Sequence, residues 1–510
     1  MKKIILFLLL LNISASLQAQ VILNNNFEIG SDTYKSAPKF WNFTIGNKNG
    51  EYTNHLSNGF VAYRDSTIAH SGKFSLRMSV LDSNNFAFAC TQQCAVNISS
   101  PKKIHIFSWV KTIDCKKGAG LNCTQRNKNE ERISYTSSRQ QEELVMNTQE
   151  WTRIDLEVLL RPDTKSIEIW TYFYGAGTVW FDDISIDTVA NKSVITAPIV
   201  SAYLDTVIKI VKQNSLYTDS IDWQILTKQL KGLASDMQTY KDARLLAGYI
   251  IDELHQHGDN HSFFLIPSGV KQFRAGDTQG RGRNVITKYL GEGIGYISMP
   301  GFASMSDSVR AAFSTNTQEQ IKRIDTENKI SSWVVDLRKD DGGSCPPMIA
   351  GLGPILGEGM YDFDISVKND TVIYFYEKGE SYDVENGKKD IRSTKVLHPY
   401  QLKNKNVPVA VLIGPHCGSS GECAVAAFIG RHDTKLFGQP TGGFTKGNED
   451  FSLPDGSMIF ISAGIQCDRN GKLYPERIFP DVPVEQPDNN STDLTLKKAK
   501  KWLGSFKKIK

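Results

Sequence analysis

After its first segment this chain has no run of eighteen uninterrupted apolar residues, it has no Cys-x-x-C pair, and no part of it repeats another. The first absence argues against a membrane-spanning helix and the second against a zinc ribbon. A strong charge of one sign is also missing. Lys and Arg number 59 against 55 Asp and Glu, a net of +4. Seven of those Lys fall in residues 497–510, which hold no acid, so the body of the chain is slightly acidic. A duplex binder needs a broad basic face rather than a basic tail, which excludes nucleic acid as the expected partner. Proline is scarce, 18 against 40 Gly, while hydrophobic residues make 40% and charged residues 22%. That balance excludes a disordered chain, a collagen-like repeat and a coiled coil. At 510 residues the chain is too long for one core, so two or three domains are expected.

The start, Met1-Lys2-Lys3 followed by the uncharged run to Leu11 and small or polar residues to Ala19, reads as a secretory signal over 1–19. It predicts an exported chain, periplasmic or extracellular. Eight Cys, an even number, then point towards disulfides.

From Val21 to about Asp187 short β-branched and aromatic runs alternate with Asn, Gly, Ser and Asp turns, as in Ile104–Val110, Ser166–Phe173 and Thr178–Phe181. Several short strands without helical periodicity predict an all-β sandwich over 20–190. After a polar linker at Asn191-Lys192-Ser193, apolar stripes recur at helical spacing: Tyr203, Val207, Val211; then Trp223, Leu226, Leu230, Leu233 behind Asp219-Ser220 as a cap; then Ala243, Leu246, Ile250, Leu254, stopping at Gly258. They predict a small helical subdomain over 191–265. From Gly293 helices and strands alternate around the buried runs 332–337 and 407–413, with a β-rich insertion near 360–400, which predicts an α/β domain over 266–492. A basic helix with Ala499, Trp502, Leu503 and Phe506 on one face closes the chain over 493–510.

The segment Gly418-Ser419-Ser420-Gly421-Glu422 follows a buried strand and opens a helix. A Ser there meets unpaired N–H groups that can hold an oxyanion, although Ser followed three residues on by Glu is also a capping box. No Gly-x-Ser-x-Gly centres on either Ser, so this is not an α/β-hydrolase elbow. Around it stand Asp336-Leu337-Arg338-Lys339-Asp340-Asp341-Gly342-Gly343, Gly438-Gln439-Pro440-Thr441-Gly442-Gly443, Leu453-Pro454-Asp455-Gly456 and Tyr474-Pro475-Glu476-Arg477-Ile478-Phe479-Pro480-Asp481. In this order they resemble the serine peptidase superfamily that contains the C-terminal processing peptidases, the tricorn core and interphotoreceptor retinoid-binding protein, over roughly residues 200–485.

The resemblance implies a crotonase-like α/β core and an acyl-enzyme peptidase acting on a peptide or protein, with no cofactor for catalysis. Its Ser–Lys version would need a Lys after the nucleophile. Lys446 is displaced from that spacing and reads as a solvated charge. The tricorn-like version fits better: Ser419 as nucleophile, His261 as base, Glu476 as the orienting acid, and Asn260 in support where tricorn has Ser. Ser420 and Gly342 or Gly343 would supply the oxyanion N–H groups. An unassisted hydroxyl needs a base within hydrogen-bond reach, and a third group must fix the imidazole tautomer. Cys345, two residues after Gly343, and Cys417, two residues before Ser419, would lie on neighbouring loops and form a disulfide. The alternatives are free thiols at Cys417 and Cys423, or a Cys345–Cys467 pair. Only about thirty residues separate His261 from Gly293, too few for a PDZ insertion.

Simpler readings stand beside these. His255, His257 and His261 form a tract that could bind metal, but His255 and His257, two apart on a helix, point to different faces. His416 reads as a structural loop residue. In the front domain Asn25-Asn26-Phe27-Glu28, then Ala69 to Leu76, then Val179-Trp180-Phe181-Asp182-Asp183-Ile184 resemble carbohydrate-binding modules of the jelly-roll type. That implies a structural calcium at Glu28 and Asp183 and a glycan partner. Two rival functions follow: a binding protein on an inactive peptidase scaffold, and a glycan-handling surface protein led by the front module.

Overall fold

Alternating β-branched and aromatic residues in the first third of the chain form one hydrogen-bonded network of ten strands. A computed structural model describes residues 22–506 apart from 31–35, 47–51, 54–58, 82–86, 97, 189–194, 276–283, 369, 390–392 and 486–491. The expected signal and linker lie outside the described residues. The strand order is Tyr52–Thr53, Asn42–Gly46, Ala87–Ala95, Ser166–Phe173, Lys102–Arg126, Gly177–Thr188, Ser75–Val80 and Phe60–Asp65, with Arg132–Ser137 and Val145–Leu160 also paired to Lys102–Arg126. The 25-residue strand Lys102–Arg126 joins the two halves of this network. Its residues 104–113 pair with Gly177–Thr188, and its residues 119–126 pair with Ser166–Phe173. Between these halves the register to Val145–Leu160 slips three times, and Asp114 and Gly118 take positive φ, so the strand bends there. Ile106, Val110, Leu121, Cys123, Leu156, Ile169, Val179 and Phe181 then share a single core.

The helices arise where the stripes predict. In Pro198–Asn214, Tyr203, Val207 and Val211 are buried. In Tyr240–Gln256 the buried stripe is Ala243, Leu246, Ile250 and Leu254, and Gly258 beyond it takes φ +96°. The cap of Trp223–Leu233 differs from expectation. Asp222 accepts the N–H groups of Gln224 and Ile225, while Thr218–Ser220 is a separate 3₁₀ turn. Nor do these helices form a subdomain of their own. The contacts divide the chain into two compact units, Met1–Leu204 with Asp222–Gln256, and Asp205–Ile221 with His257–Lys510. Arg161–Glu253 and Lys103–Asp236 ion pairs, nearly buried on the basic side, hold the returning helical segment within the first unit.

The second unit is built on a six-stranded sheet in the order Ile286–Tyr289, Ile294–Ser298, Ser332–Asp336, Val409–Ile413, Thr434–Gly438, Val482–Pro483. Only its first pair is antiparallel. Ser332–Asp336 and Val409–Ile413 are buried at every position, as central parallel strands covered on both faces must be. Side-chain alternation sorts the two faces. Trp333, Val335, Val409 and Val411 join a core with residues of Asp307–Glu327, Cys345–Leu356 and Ser420–Phe428. Val334, Ala410 and Leu412 instead meet Ala499 and Leu503 of the C-terminal helix Leu494–Ser505. A second sheet of eight strands carries the expected insertion, ordered Phe263–Leu265, Met458–Asp468, Gly359–Ser366, Thr371–Glu377, Glu380–Glu385, Lys388–Lys389, with Lys446–Ser452 and Thr394–Lys395 attached. Segment 205–221 belongs here because Leu216 N–H donates to Ser462 O at 2.9 Å.

The eight cysteines make a single disulfide. Cys90, Cys94, Cys115, Cys123, Cys417 and Cys467 are buried free thiols, and burial pushes Cys94 and Cys115 up to about 11.

Candidate active site

The strand Val409–Ile413 leads through residues 414–418 into the helix Ser420–Phe428, and Ser419 is the residue before its first turn, with φ +55° and ψ −122°. That backbone is costly for a residue with a Cβ and is found where surrounding contacts hold it. The contacts here are specific. Gly418 N–H donates to Asp340 O at 3.0 Å, and a Cβ on Gly421 would lie 2.3 Å from the same oxygen. Ser419 N–H donates to the buried carboxylate of Glu422 at 3.0 Å.

That carboxylate also receives Gly443 N–H at 2.9 Å and Phe444 N–H at 2.7 Å, so the nucleophile turn and the 443–444 loop share one anchor. Burial pushes the Glu422 carboxyl above its ordinary value, partly opposed by these hydrogen bonds.

His261 reaches the same place from the end of the helical region. Asp259, buried, accepts His261 N–H at 2.8 Å, Ser262 N–H at 2.9 Å and Ser462 Oγ at 2.8 Å, which fixes the turn. The imidazole Nε2 lies 2.9 Å from Ser419 Oγ, and Nδ1 lies 2.8 Å from the main-chain oxygen of Lys446. A carbonyl oxygen only accepts, so Nδ1 carries the proton and Nε2 turns its lone pair to the hydroxyl. Burial lowers the His261 pKa; the Lys446 carbonyl and Asp259 oppose that shift, and the Lys446 charge adds to it.

Of the two glycines expected as oxyanion donors, Gly342 stands against Ser419 and Gly343 against Ser420. A Cβ on Gly342 would fall 2.7 Å from Ser419 Cβ, and Ser420 Oγ donates to Gly343 O at 2.9 Å. They differ in availability. Gly342 N–H is taken by Asp340 Oδ1 at 3.1 Å. The N–H groups of Gly343 and Ser420 meet no acceptor among the described residues.

Four expectations need correction. Glu476 is exposed and makes no hydrogen bond to His261. Its segment contributes backbone instead: Thr445 Oγ1 donates to Tyr474 O at 2.6 Å and to Glu476 O at 3.3 Å, steadying the residue next to Lys446. The disulfide joins Cys345 to Cys423, not to Cys417. Cys417 turns into the core beneath the sheet, whereas Cys423, on the first turn of its helix, meets Cys345 at the start of Cys345–Leu356. Lys446 is buried rather than solvated, and burial lowers its pKa. Asn260 does not touch the imidazole; its Nδ2 donates to Gly443 O at 2.8 Å. His416 is exposed and takes no part. Asp259, Glu422 and the Lys446 carbonyl escaped the sequence reading. Only Glu422 had a signal there, as the far end of a capping box.

The calcium expected in the first unit requires converging oxygen ligands. Glu28 Oε1 instead accepts Lys73 N–H at 2.7 Å and Phe74 N–H at 2.9 Å, and Asp183 pairs with His70 Nδ1 and Ser71 Oγ, both at 2.7 Å. Both carboxylates clasp one turn. Among the described residues no group of three His, Cys, Asp or Glu side chains is placed to hold a metal, there or around His255 and His257.

Residues 293–484 match the family model of Peptidase family S41. The match supports a serine-type peptidase, and the substrate that family implies is a protein or peptide. The nisin-resistance protein of Lactococcus lactis subsp. lactis is 25% identical over 304 residues, 58% of this chain and 86% of that protein. Among solved structures, a lipoprotein from Streptococcus agalactiae is 24% identical, covering 60% of this chain and 97% of that one with a TM-score of 0.48. The photosystem II D1 C-terminal processing protease is 13% identical, covering 58% and 95%, with a TM-score of 0.40. Among the described residues no helix is long and apolar enough to cross a membrane.

Proposed function

We propose that the protein is an exported serine peptidase that works through a Ser419–His261 pair on a crotonase-like core. The carrying observation is the relay Ser419 Oγ, His261 Nε2, His261 Nδ1, Lys446 O, at 2.9 and 2.8 Å. His261 takes the Ser419 proton as Oγ bonds to the scissile carbonyl carbon. The oxyanion turns to the free N–H groups of Ser420 and Gly343, donors typically worth about 3 kcal/mol each in the transition state. Collapse breaks the C–N bond, and His261 passes its proton to the leaving amine. Water, deprotonated by the same imidazole, then releases the acyl group from Ser419. The Lys446 carbonyl fixes the tautomer without a carboxylate. Export rests on the basic and apolar start of the chain.

A Ser-reactive fluorophosphonate should label Ser419, and Ser419→Ala should abolish both labelling and peptide cleavage while the fold survives. Labelling at Ser420, or robust cleavage by Ser419→Ala, refutes the assignment.

For the first unit we propose a jelly-roll module that binds glycan. Trp109 and Trp151 are half-buried around His70, with centroid separations of 4.1 and 5.5 Å, whereas Trp41 and Trp180 are core. Aromatic rings with accessible edges suit sugar faces. An immobilised-glycan screen of the whole protein should give a signal that Trp151→Ala loses; an empty screen ends this reading.

A further inference from the structure

Phe444 is 38% exposed, and its ring centroid lies 5.7 Å from that of His261. Its backbone cannot drift, because Phe444 N–H is held at 2.7 Å by the buried Glu422 that also holds Ser419 N–H. Glycines border the ring. A Cβ on Gly418 would come to 3.0 Å from Phe444 Cδ2, and one on Gly442 to 3.1 Å. Gly418 immediately precedes the nucleophile in the chain, so the ring stands at the lip of the Ser419 turn with no neighbouring side chain screening it from those positions. Two polar side chains nearby serve other ends: Glu422 is consumed by backbone N–H groups, and Asn260 by Gly443 O.

We infer that Phe444 is a specificity-determining residue: an apolar side chain of the substrate, next to the scissile bond, packs on its ring. This rests on the Ser419–His261 reading. An extended peptide whose carbonyl carbon reaches Ser419 Oγ must pass its adjoining side chains close to the open part of the Phe444 ring, which offers apolar area and no hydrogen-bonding group. A polar or charged side chain would lose water there without a partner.

The test is a peptide series that varies only the two residues flanking the cleaved bond, comparing leucine with serine and aspartate. Taking the ratio of kcat/KM within one variant cancels general damage to the enzyme. The wild-type enzyme should prefer leucine at one flank. Phe444→Ala should cut that preference by about 10- to 100-fold, the span expected for apolar pocket contacts. Phe444→Leu should restore most of it. Wild-type preference for aspartate or serine, or an unchanged ratio in a folded Phe444→Ala enzyme whose Ser419 takes the fluorophosphonate, overturns this inference alone. Wild-type enzyme that the probe fails to label at Ser419 overturns the Ser419–His261 reading and takes this inference with it.

Discussion

Glu422→Gln is the substitution that best separates geometry from charge at this site. The native carboxylate takes three backbone N–H groups on two oxygens: Ser419 and Phe444 on Oε2, Gly443 on Oε1. A Gln side chain has one oxygen. If that oxygen faces Ser419 and Phe444, its amide nitrogen confronts Gly443 N–H, leaving a buried donor unsatisfied at a cost of about 1–3 kcal/mol. The two surviving bonds pass from a charged to a neutral acceptor and lose about 1 kcal/mol each. Removing a buried charge whose pKa burial already raises returns part of this, so the net destabilisation should be about 2–4 kcal/mol. The kinetic effect should be larger than that figure suggests. The displaced loop carries Lys446, whose carbonyl orients His261, and the displaced turn carries Ser419. A shift of about 1 Å between nucleophile and base costs on the order of a hundredfold. Steady-state kinetics should therefore show kcat falling about 100-fold, with KM rising as well because the loop that moves carries Phe444. Denaturant unfolding on the same sample measures the stability term. A folded Glu422→Gln enzyme with kcat within about threefold of wild type, a change under 1 kcal/mol, refutes the reasoning.

The acid limb of the kcat/KM profile should fall below the ordinary imidazole value of 6.5, because burial lowers His261 and a base must be unprotonated to act. Glu422 protonates above its ordinary 4.5, which adds a second proton-dependent loss at the acid end that Glu422→Gln should remove; a limb above 6.5 contradicts the lowered His261. Glu476→Gln should stay within about threefold of wild type, since the contribution of that residue is its main-chain oxygen; a loss of a hundredfold would restore the carboxylate to the mechanism. Lys446→Ala keeps the carbonyl that holds Nδ1 and should lose less than about tenfold in kcat, to be compared with His261→Ala, which should be inactive. Reduction of Cys345–Cys423, which closes a sequence separation of 78 residues, should destabilise the second unit by roughly 4–5 kcal/mol in the chain-entropy account, measured by denaturant unfolding with and without reductant.

Side-chain chemistry with a periodic or local pattern was readable in advance. The stripe Ala243, Leu246, Ile250, Leu254 and the buried runs around Val335 and Val411 could be placed from spacing alone, because burial follows the period of the element. The strand-to-helix turn at Ser419 was legible for the same reason. What could not be read is carried by main chain. Any residue has a carbonyl, so nothing at position 446 announces that its oxygen holds His261, and the motif around Glu476 pointed to a carboxylate where the fold uses backbone oxygens of Tyr474 and Glu476. Cysteine pairing failed differently. Cys417 and Cys423 are close in sequence, but one precedes the helix and faces the core while the other lies on its first turn, so the choice depends on rotation about the helix axis. Asp222 displaced Asp219-Ser220 as a cap because adjacent polar residues compete for the same N–H groups.

The peptidase unit is not one continuous stretch of chain. Residues 205–221 belong to it, the chain then leaves for the first unit at Asp222 and returns at His257; Leu216 N–H is bound to Ser462 O, and Ser462 Oγ is bound to the Asp259 that sets the His261 turn. During synthesis the 205–221 segment therefore emerges long before its partner strand Met458–Asp468 exists, and pairing waits until nearly the whole chain has been made. Ser419 can leave the ribosome well before His261 is held at its working position. A nascent or C-terminally truncated chain thus carries its nucleophile without a fixed base, which delays proteolytic competence to the final stage of folding.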